Sequence, residues 1–277
     1  MVPNTNRAPA PHATPAPMNN QLPEVPRLAA PVVLIHGVSG FDRLFRLKRP
    51  GKEFFPGVRP HLEAAGNRVL MPRVSATAGI ATRAAELVAF IRREVGTAPI
   101  HVIGHSMGGL DARYAVSRLG LDSQVLSLTT VGCPHRGTTF ADWGVDRFAR
   151  YFRPLFRAVG VPDDAFFDLM TENCQRFNER TPDVPGVRYF SVAGVVERPW
   201  LAHGWRLPSR IVAKAEGPND GVVSVASATW GESTAVWRGD HLNLVNWPNK
   251  RMRKAGEWPD RAGEYAGLLG QLQRAGF

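Results

Sequence analysis

Pro99-Ile100-His101-Val102-Ile103-Gly104-His105-Ser106-Met107-Gly108-Gly109-Leu110 is the stretch whose reading decides the fold. A run rich in β-branched residues meets Gly-x-Ser-x-Gly, and a helical stretch follows at once from Met107 to Leu119, closed by Gly120. The pattern predicts a strand, a tight turn with Ser106 at its apex, and a helix. Gly104 and Gly108 flank the serine because neighbouring backbone comes too close there to accept a Cβ, and the apex residue takes unusual dihedrals. The helix aims its free N–H groups and the positive end of its dipole at the oxygen under attack. Ser106 is therefore the candidate nucleophile.

Upstream, Pro31-Val32-Val33-Leu34-Ile35-His36 is an apolar run suited to a sheet covered on both faces. It delivers His36-Gly37-Val38-Ser39-Gly40-Phe41-Asp42, whose glycines let the loop approach the serine. The backbone N–H of Val38 and that of Met107 are the candidate oxyanion donors. An aromatic-rich connection follows, with Phe41 to Leu47, Phe54 and Phe55, then a helix through Pro60 to Ala65 and a strand at Arg68 to Met71. The next helix spans about Ile80 to Val95 with Ala84, Leu87, Val88 and Ile91 on one face, and completes a β-α-β alternation with right-handed parallel crossovers.

Downstream, Gln124 to Val131 reads as a strand ending in Gly132-Cys133-Pro134-His135-Arg136-Gly137-Thr138 at the carboxyl edge of the sheet. His135 reads as loop architecture rather than as a base. Residues 139 to 180 interrupt the alternation. Trp143, Val145, Phe148, Phe152, Leu155, Phe156 and Val159 recur at helical spacing, while Arg147, Arg150, Arg153 and Arg157 take other directions. A further helix is expected from Asp163, as its cap, to Phe177. An amphipathic insertion behind a loop at this edge predicts a lid over an acyl pocket.

The core resumes at Val187 to Val196, and a loop rich in Trp200, His203, Trp205 and Pro208 leads to Gly217-Pro218-Asn219-Asp220-Gly221. Thr234 to Trp237 is the expected last strand, and it presents His241. Ser106, Asp220 and His241 then stand in the chain order of a nucleophile, an acid and a base. His36, His101, His105 and His203 lie in or beside earlier elements and are weaker choices of base. Asp240 adjoins His241, but adjacent side chains need not meet, so Asp220 is the expected partner.

Length and composition bound the rest. A chain of 277 residues forms one large α/β core, expected over residues 29–277, with the Pro-rich residues 1–28 as a flexible arm. A hydrophobic fraction of 44% is ordinary for a soluble protein, and no apolar run is long enough to span a membrane. The first 30 residues lack a basic start followed by an apolar segment, which predicts a cytoplasmic protein, or a secreted one whose leader has been removed. The formal charge of +10 comes from dispersed arginines, with one short cluster at Lys250, Arg251, Arg253 and Lys254, so no nucleic-acid partner is expected and a transient lipid-interface contact stays open. Cys133 and Cys174 are compatible with one disulfide or with two free thiols, and their spacing indicates no metal site.

Together, His36-Gly37-Val38-Ser39-Gly40-Phe41-Asp42, Gly104 to Tyr114, Gly132 to Gly137, Asn219-Asp220-Gly221 and Asp240-His241-Leu242 resemble the bacterial true lipases of the Pseudomonas and Burkholderia type, from about Pro31 to Trp247. The resemblance implies an α/β-hydrolase fold, a mostly parallel sheet covered by helices with an inserted helical lid. It also implies Ser106 as nucleophile, Asp220 as acid, His241 as base, and Val38 and Met107 as oxyanion donors. The implied activity is hydrolysis of a triacylglycerol or other acyl ester without an electron- or group-transfer cofactor. The alternatives are a short-chain esterase, a polyester depolymerase, an acyltransferase, or a non-catalytic module that binds lipid or protein. Members of the family hold a structural calcium through an acidic residue two positions after the histidine and a glutamine four further on. Asn243 and Trp247 occupy those positions here, so the expected ligand set is incomplete.

Overall fold

The computed structural model describes residues 25–38, 54–149, 164–197, 200–256 and 260–277. Six strands, β1 (Val32–Ile35), β2 (Val69–Leu70), β3 (Ile100–His105), β4 (Val125–Val131), β5 (Arg188–Val195) and β6 (Ser233–Arg238), form one sheet in the order β2-β1-β3-β4-β5-β6. Every pairing is parallel, with Ile103 set opposite Leu34 on one side and Thr129 on the other. Parallel neighbours require crossover connections, and helices supply them on both faces.

The strand residues alternate between two cores. Val32, Leu34, Ile103, Val131 and Val192 pack with Leu62, Tyr265, Leu269 and Leu272 on one face. Val33, Ile35, Val102 and Leu128 pack with Ala84, Leu87, Ile91, Ala112 and Val116 on the other. Because each face is buried, a strand such as β1 has no polar side, which is why its sequence reads as an unbroken apolar run. The helices Ile80–Val95 and Met107–Arg118 follow the expected bounds closely.

Between β4 and β5 lies a large helical insertion, as the sequence implied. Its described parts are the helix Thr139–Gly144, a wide π-helical turn Val145–Ala149, and the helices Asp164–Asp168 and Thr171–Arg180. Phe152, Leu155, Phe156, Val159, the Arg150, Arg153 and Arg157 series and the expected cap Asp163 lie outside the described residues, as do Ser39 to Leu47. The single helix expected from Asp163 to Phe177 is two helices, separated by the extended backbone of Met170. Asp142 causes the second start: its carboxylate accepts hydrogen bonds from Thr171 N–H and from Thr171 Oγ1, both at 2.9 Å, replacing the partners that a continuous helix would supply.

Two further differences concern the last third of the chain. The loop expected around Trp200 to Pro208 runs into a helix, Arg206–Ala215, which buries Pro208 and Val212. Pro208 falls in its first turn, where a missing N–H removes no helical hydrogen bond. Beyond the last strand, Lys250–Ala255 and Ala262–Arg274 are also helical, and the latter buries Tyr265, Leu268, Leu269 and Leu272 at helical spacing. Of the arm, residues 25–28 lie along the body: Asn67 accepts from Leu28 N–H at 2.9 Å and donates to Pro26 O at 2.9 Å. Cys133 and Cys174 are buried free thiols, and burial pushes the Cys174 thiol up to about 12. Both are therefore unreactive as thiolates.

His101 of β3 lies inside, its Nδ1 2.8 Å from Ser127 Oγ and its ring edge-on to Phe277. Burial lowers its pKa from 6.5 to about 4. Between those values the unfolded chain takes up a proton that the native chain refuses. Stability is thus fully present above pH 6.5 and falls as the pH drops towards 4, by about 3 kcal/mol for this side chain. In thermal melts across this range, His101→Asn, whose amide stands where Nδ1 meets Ser127 Oγ, is expected to lose less Tm on acidification than the parent. Equal losses would show that His101 contributes nothing to the acid response.

Candidate active site

β3 ends at His105, and the helix Met107–Arg118 begins at Met107, so the whole reversal falls on Ser106. Its φ of 54° and ψ of −132° are strained for a residue with a side chain. The turn is locked by Ser106 N–H donating to Val131 O at 2.9 Å. A Cβ on Gly104 would stand 2.7 Å from Gly109 Cα, and one on Gly108 would stand 2.8 Å from His36 O. Real Cβ atoms do not come so close to backbone, so these two glycines are what lets β3, its helix and the loop after β1 meet. Gly37 is pressed against the serine itself, since a Cβ there would lie 2.6 Å from Ser106 Cβ. Val38 therefore follows a residue in contact with Ser106, and Met107 directly succeeds Ser106. Among the described residues neither the Val38 N–H nor the Met107 N–H has an acceptor.

Asp220 and His241 arrive from different loops and are joined twice. Asp220 Oδ2 stands 2.7 Å from His241 Nδ1, and His241 N–H donates to Asp220 O at 2.8 Å. The other carboxylate oxygen accepts from Val222 N–H at 3.0 Å and Val223 N–H at 2.8 Å. Asp220 is wholly buried and accepts on both carboxylate oxygens, so the hydrogen of this pair lies on His241 Nδ1. His241 then has Nε2 as its acceptor nitrogen. Ser106 Oγ makes no hydrogen bond among the described residues. Gly132 and Gly194 clear the space around the pair, since a Cβ on either would press on Leu244 or Asp220.

The other sequence candidates have separate occupations. Asp240 turns away from His241 and accepts from Leu242 N–H, Asn243 N–H and Asn249 Nδ2. His135 is buried between Thr130 Oγ1, 2.9 Å from its Nε2, and Arg113 Nη1, 3.3 Å from its Nδ1. Desolvation and the Arg113 charge hold it neutral. His36 accepts from Val74 N–H through Nε2 and stacks on Phe54. His105 is a contributor that the sequence reading passed over. Its Nε2 lies 3.1 Å from His241 O, and burial next to His241 drives its pKa well down, so a neutral imidazole supports the main chain of His241. Arg83 and Asp111, buried beside the turn, were passed over too; the only sequence signal was an arginine on an otherwise apolar helix face.

The donors near His241 do not fit a calcium ion. Asn243 Oδ1 already accepts from Asp240 N–H at 2.9 Å, and its Nδ2 donates to Trp247 O at 2.7 Å. Trp247 Nε1 donates to Phe54 O at 3.0 Å. A neutral amide with both polar atoms engaged supplies neither the charge nor the free oxygen that calcium needs.

A family model described as the alpha/beta hydrolase fold matches residues 30–260. Triacylglycerol lipase 2 of Saccharomyces cerevisiae is 30% identical over 304 residues, covering 89% of this chain and 92% of the relative. A triacylglycerol lipase of Pseudomonas fragi is 34% identical over 263 residues, covering 78% and 87%. Among solved structures, that of Staphylococcus hyicus lipase superposes with a TM-score of 0.70 at 19% identity, over 92% of this chain and 99% of that one. A metagenomic carboxyl esterase superposes with a TM-score of 0.71 at 21% identity, over 96% and 81%. The similarity spans yeast and bacterial proteins and does not single out the Pseudomonas and Burkholderia subfamily.

The crowding at the turn gives a direct test. Gly108→Ala is expected to destabilise the protein by about 1–3 kcal/mol, because the new methyl meets the backbone of β1. Gly267→Ala, in a helix with nothing within 4 Å of the added Cβ, is expected to stabilise it by about 0.5–1 kcal/mol. Denaturant midpoints of the two variants, measured side by side, check both signs.

Proposed function

Because this chain belongs to the α/β-hydrolase family and is related to its lipases and esterases, we propose that it hydrolyses carboxylic esters through a Ser106 acyl-enzyme, as a triacylglycerol lipase of the Pseudomonas and Burkholderia type. The observation that carries this reading is the buried Asp220–His241 pair, 2.7 Å apart and delivered by late loops to the sheet edge where Ser106 stands at its strained turn.

In the proposed reaction, His241 Nε2 takes the Ser106 proton as Oγ attacks the ester carbonyl carbon. The carbonyl π electrons move onto oxygen, and the N–H groups of Val38 and Met107 stabilise that oxyanion. Asp220 holds the imidazole by its Nδ1–H and stabilises its charged form. The intermediate collapses as His241 protonates the departing alcohol, and water then repeats the sequence on the acyl-enzyme. An acyl substrate is supported by apolar surroundings. Val38, Met107, Ile80, Leu110 and Leu169 form one cluster, and Phe140, Trp205, Val222 and Val223 another, with the Trp205 ring edge-on to His241. The insertion between β4 and β5 serves as the lid, and its contact with lipid is transient. No helix among the described residues is long and apolar enough to cross a membrane.

Replacing Ser106 or His241 with Ala is expected to lower kcat by about 10⁶-fold while the fold is retained, and Asp220→Asn by about 10⁴-fold. Rates on p-nitrophenyl esters of increasing chain length, with circular dichroism as the fold control, check this. Near-parental turnover in a folded variant overturns the triad. A long-chain preference that rises above the substrate's aggregation threshold supports the lipase reading, whereas a short-chain preference without that rise makes the protein a soluble esterase.

A further inference from the structure

Arg83 is a guanidinium where an aliphatic side chain would be expected. It shares the inward face of the helix Ile80–Val95 with Ala84, Leu87, Val88 and Ile91, and its side chain is fully buried. Its Nε donates to Asp111 Oδ2 at 2.8 Å, and Asp111 is equally buried. The Nη1 group donates to Ser75 O at 2.6 Å. Nη2 is aimed at the loop after β1, donating to His36 O at 2.8 Å and more weakly to Gly37 O at 3.4 Å.

That second carbonyl belongs to the peptide whose other end is the Val38 N–H. In a planar trans peptide the C=O and N–H point in opposite directions, so whatever fixes Gly37 O fixes the direction of the Val38 N–H. Gly37 O is held from a second side by His36 Nδ1 at 2.7 Å. The His36 ring is fixed in turn: its Nε2 accepts from Val74 N–H, leaving the hydrogen on Nδ1, and burial lowers its pKa to about 4, so it stays neutral. Asp111 lies in the helix that starts at Met107. The Arg83–Asp111 pair therefore ties the element carrying one oxyanion donor to the loop carrying the other.

Taking an ion pair out of water for stability alone is a poor use of a core position, since well-packed apolar side chains serve as well or better. Asp111 is moreover incompletely satisfied: its Oδ1 has no hydrogen-bond partner, and burial pushes its carboxyl up to about 7 against the pull of Arg83. What a guanidinium supplies and an apolar group cannot is several donors in one rigid plane.

We propose that Arg83, with Asp111 as its counter-ion, is a positioning residue for the oxyanion site, holding the carbonyls of His36 and Gly37 so that the Val38 and Met107 N–H groups converge on one oxygen. The role rests on the reading of Val38 and Met107 as the oxyanion donors and of Ser106 as the nucleophile.

The test uses the full chain with Arg83→Lys and Asp111→Asn, the first keeping the charge without the fork and the second keeping the shape without the charge. Reactive Ser106 is counted by endpoint titration with diethyl p-nitrophenyl phosphate, so that unfolded molecules divide out. Steady-state rates are then measured on a p-nitrophenyl ester. Two inhibitors of matched chain length are compared: an alkyl trifluoromethyl ketone, which forms a tetrahedral oxyanion on serine, and the corresponding unreactive alcohol. The expected result is a fall in kcat per titrated site of about 10-fold or more, with KM within about twofold. Affinity for the ketone should fall in parallel, and affinity for the alcohol should stay unchanged. A merely structural role would lower the number of titrated sites and leave these ratios alone.

Parental kcat per site in either variant overturns the proposal, as does an equal loss of affinity for ketone and alcohol. Should the parent itself lack hydrolysis that Ser106→Ala abolishes, the reading of the site falls, and the positioning role falls with it. The two failures are distinguishable because only the second appears in the unaltered protein.

Discussion

The structure depends on one steric constraint, the close approach of three backbone segments at Ser106. β3 must reverse into a helix within a single residue while the loop after β1 passes against the serine. That residue takes a positive φ, and Gly37, Gly104 and Gly108 stand at the points of contact. A side chain at any of these glycines would collide with backbone or with the serine. The strain at Ser106 costs on the order of 1–3 kcal/mol and persists because the surrounding sheet, buried on both faces, leaves the turn no other shape.

Around this turn the polar groups at the sheet edge are paired to a purpose that packing alone does not require. Asp220 is satisfied on both oxygens, and neutral His105 holds the main chain of His241. Asp240, which neighbours His241 in sequence, is tied into its own loop by Asn243 and Asn249. Burial keeps the imidazoles of His36, His105 and His135 uncharged, so each serves as a fixed donor and acceptor rather than as a proton carrier. Fixed dipoles of this kind need no reorganisation when charge develops nearby.

The insertion is joined to the scaffold by carboxylates. Asp168 accepts from Ile80 N–H at the start of the helix Ile80–Val95, whereas Asp142 acts within the insertion, accepting from Thr171 at the start of the helix Thr171–Arg180. Glu216, beside the Asp220 loop, accepts from Thr139 N–H and Oγ1 and from Ser224 Oγ. Ala165 and Cys174 are buried against Ile80, Met107 and Leu110. The described carboxyl-terminal part of the insertion is therefore a wall packed next to Met107.

Much of this was legible in the amino-acid sequence, because the signals were local. An apolar run marks a strand buried on both faces, a 3.6-residue period marks each long helix, and glycines on either side of Ser106 mark a turn without room. What was misread concerned elements whose start depends on a distant residue. The break before Thr171 is set by Asp142 in another helix, and the Arg206–Ala215 helix carries a proline that is harmless only at its first turn. By itself, then, the sequence determined the alternation of strands and helices and the order of Ser106, Asp220 and His241, since periodicity and chain order are properties of neighbours. Only the tertiary structure decided that Asp220 rather than Asp240 meets His241, that Asn243 is already engaged, and that Arg83 reaches the loop after β1. A hydrogen bond depends on ångström-scale approach and direction between groups, whether 3 residues apart as for Asn243 and Asp240 N–H or 47 as for Arg83 and His36 O, and no residue pattern encodes that geometry.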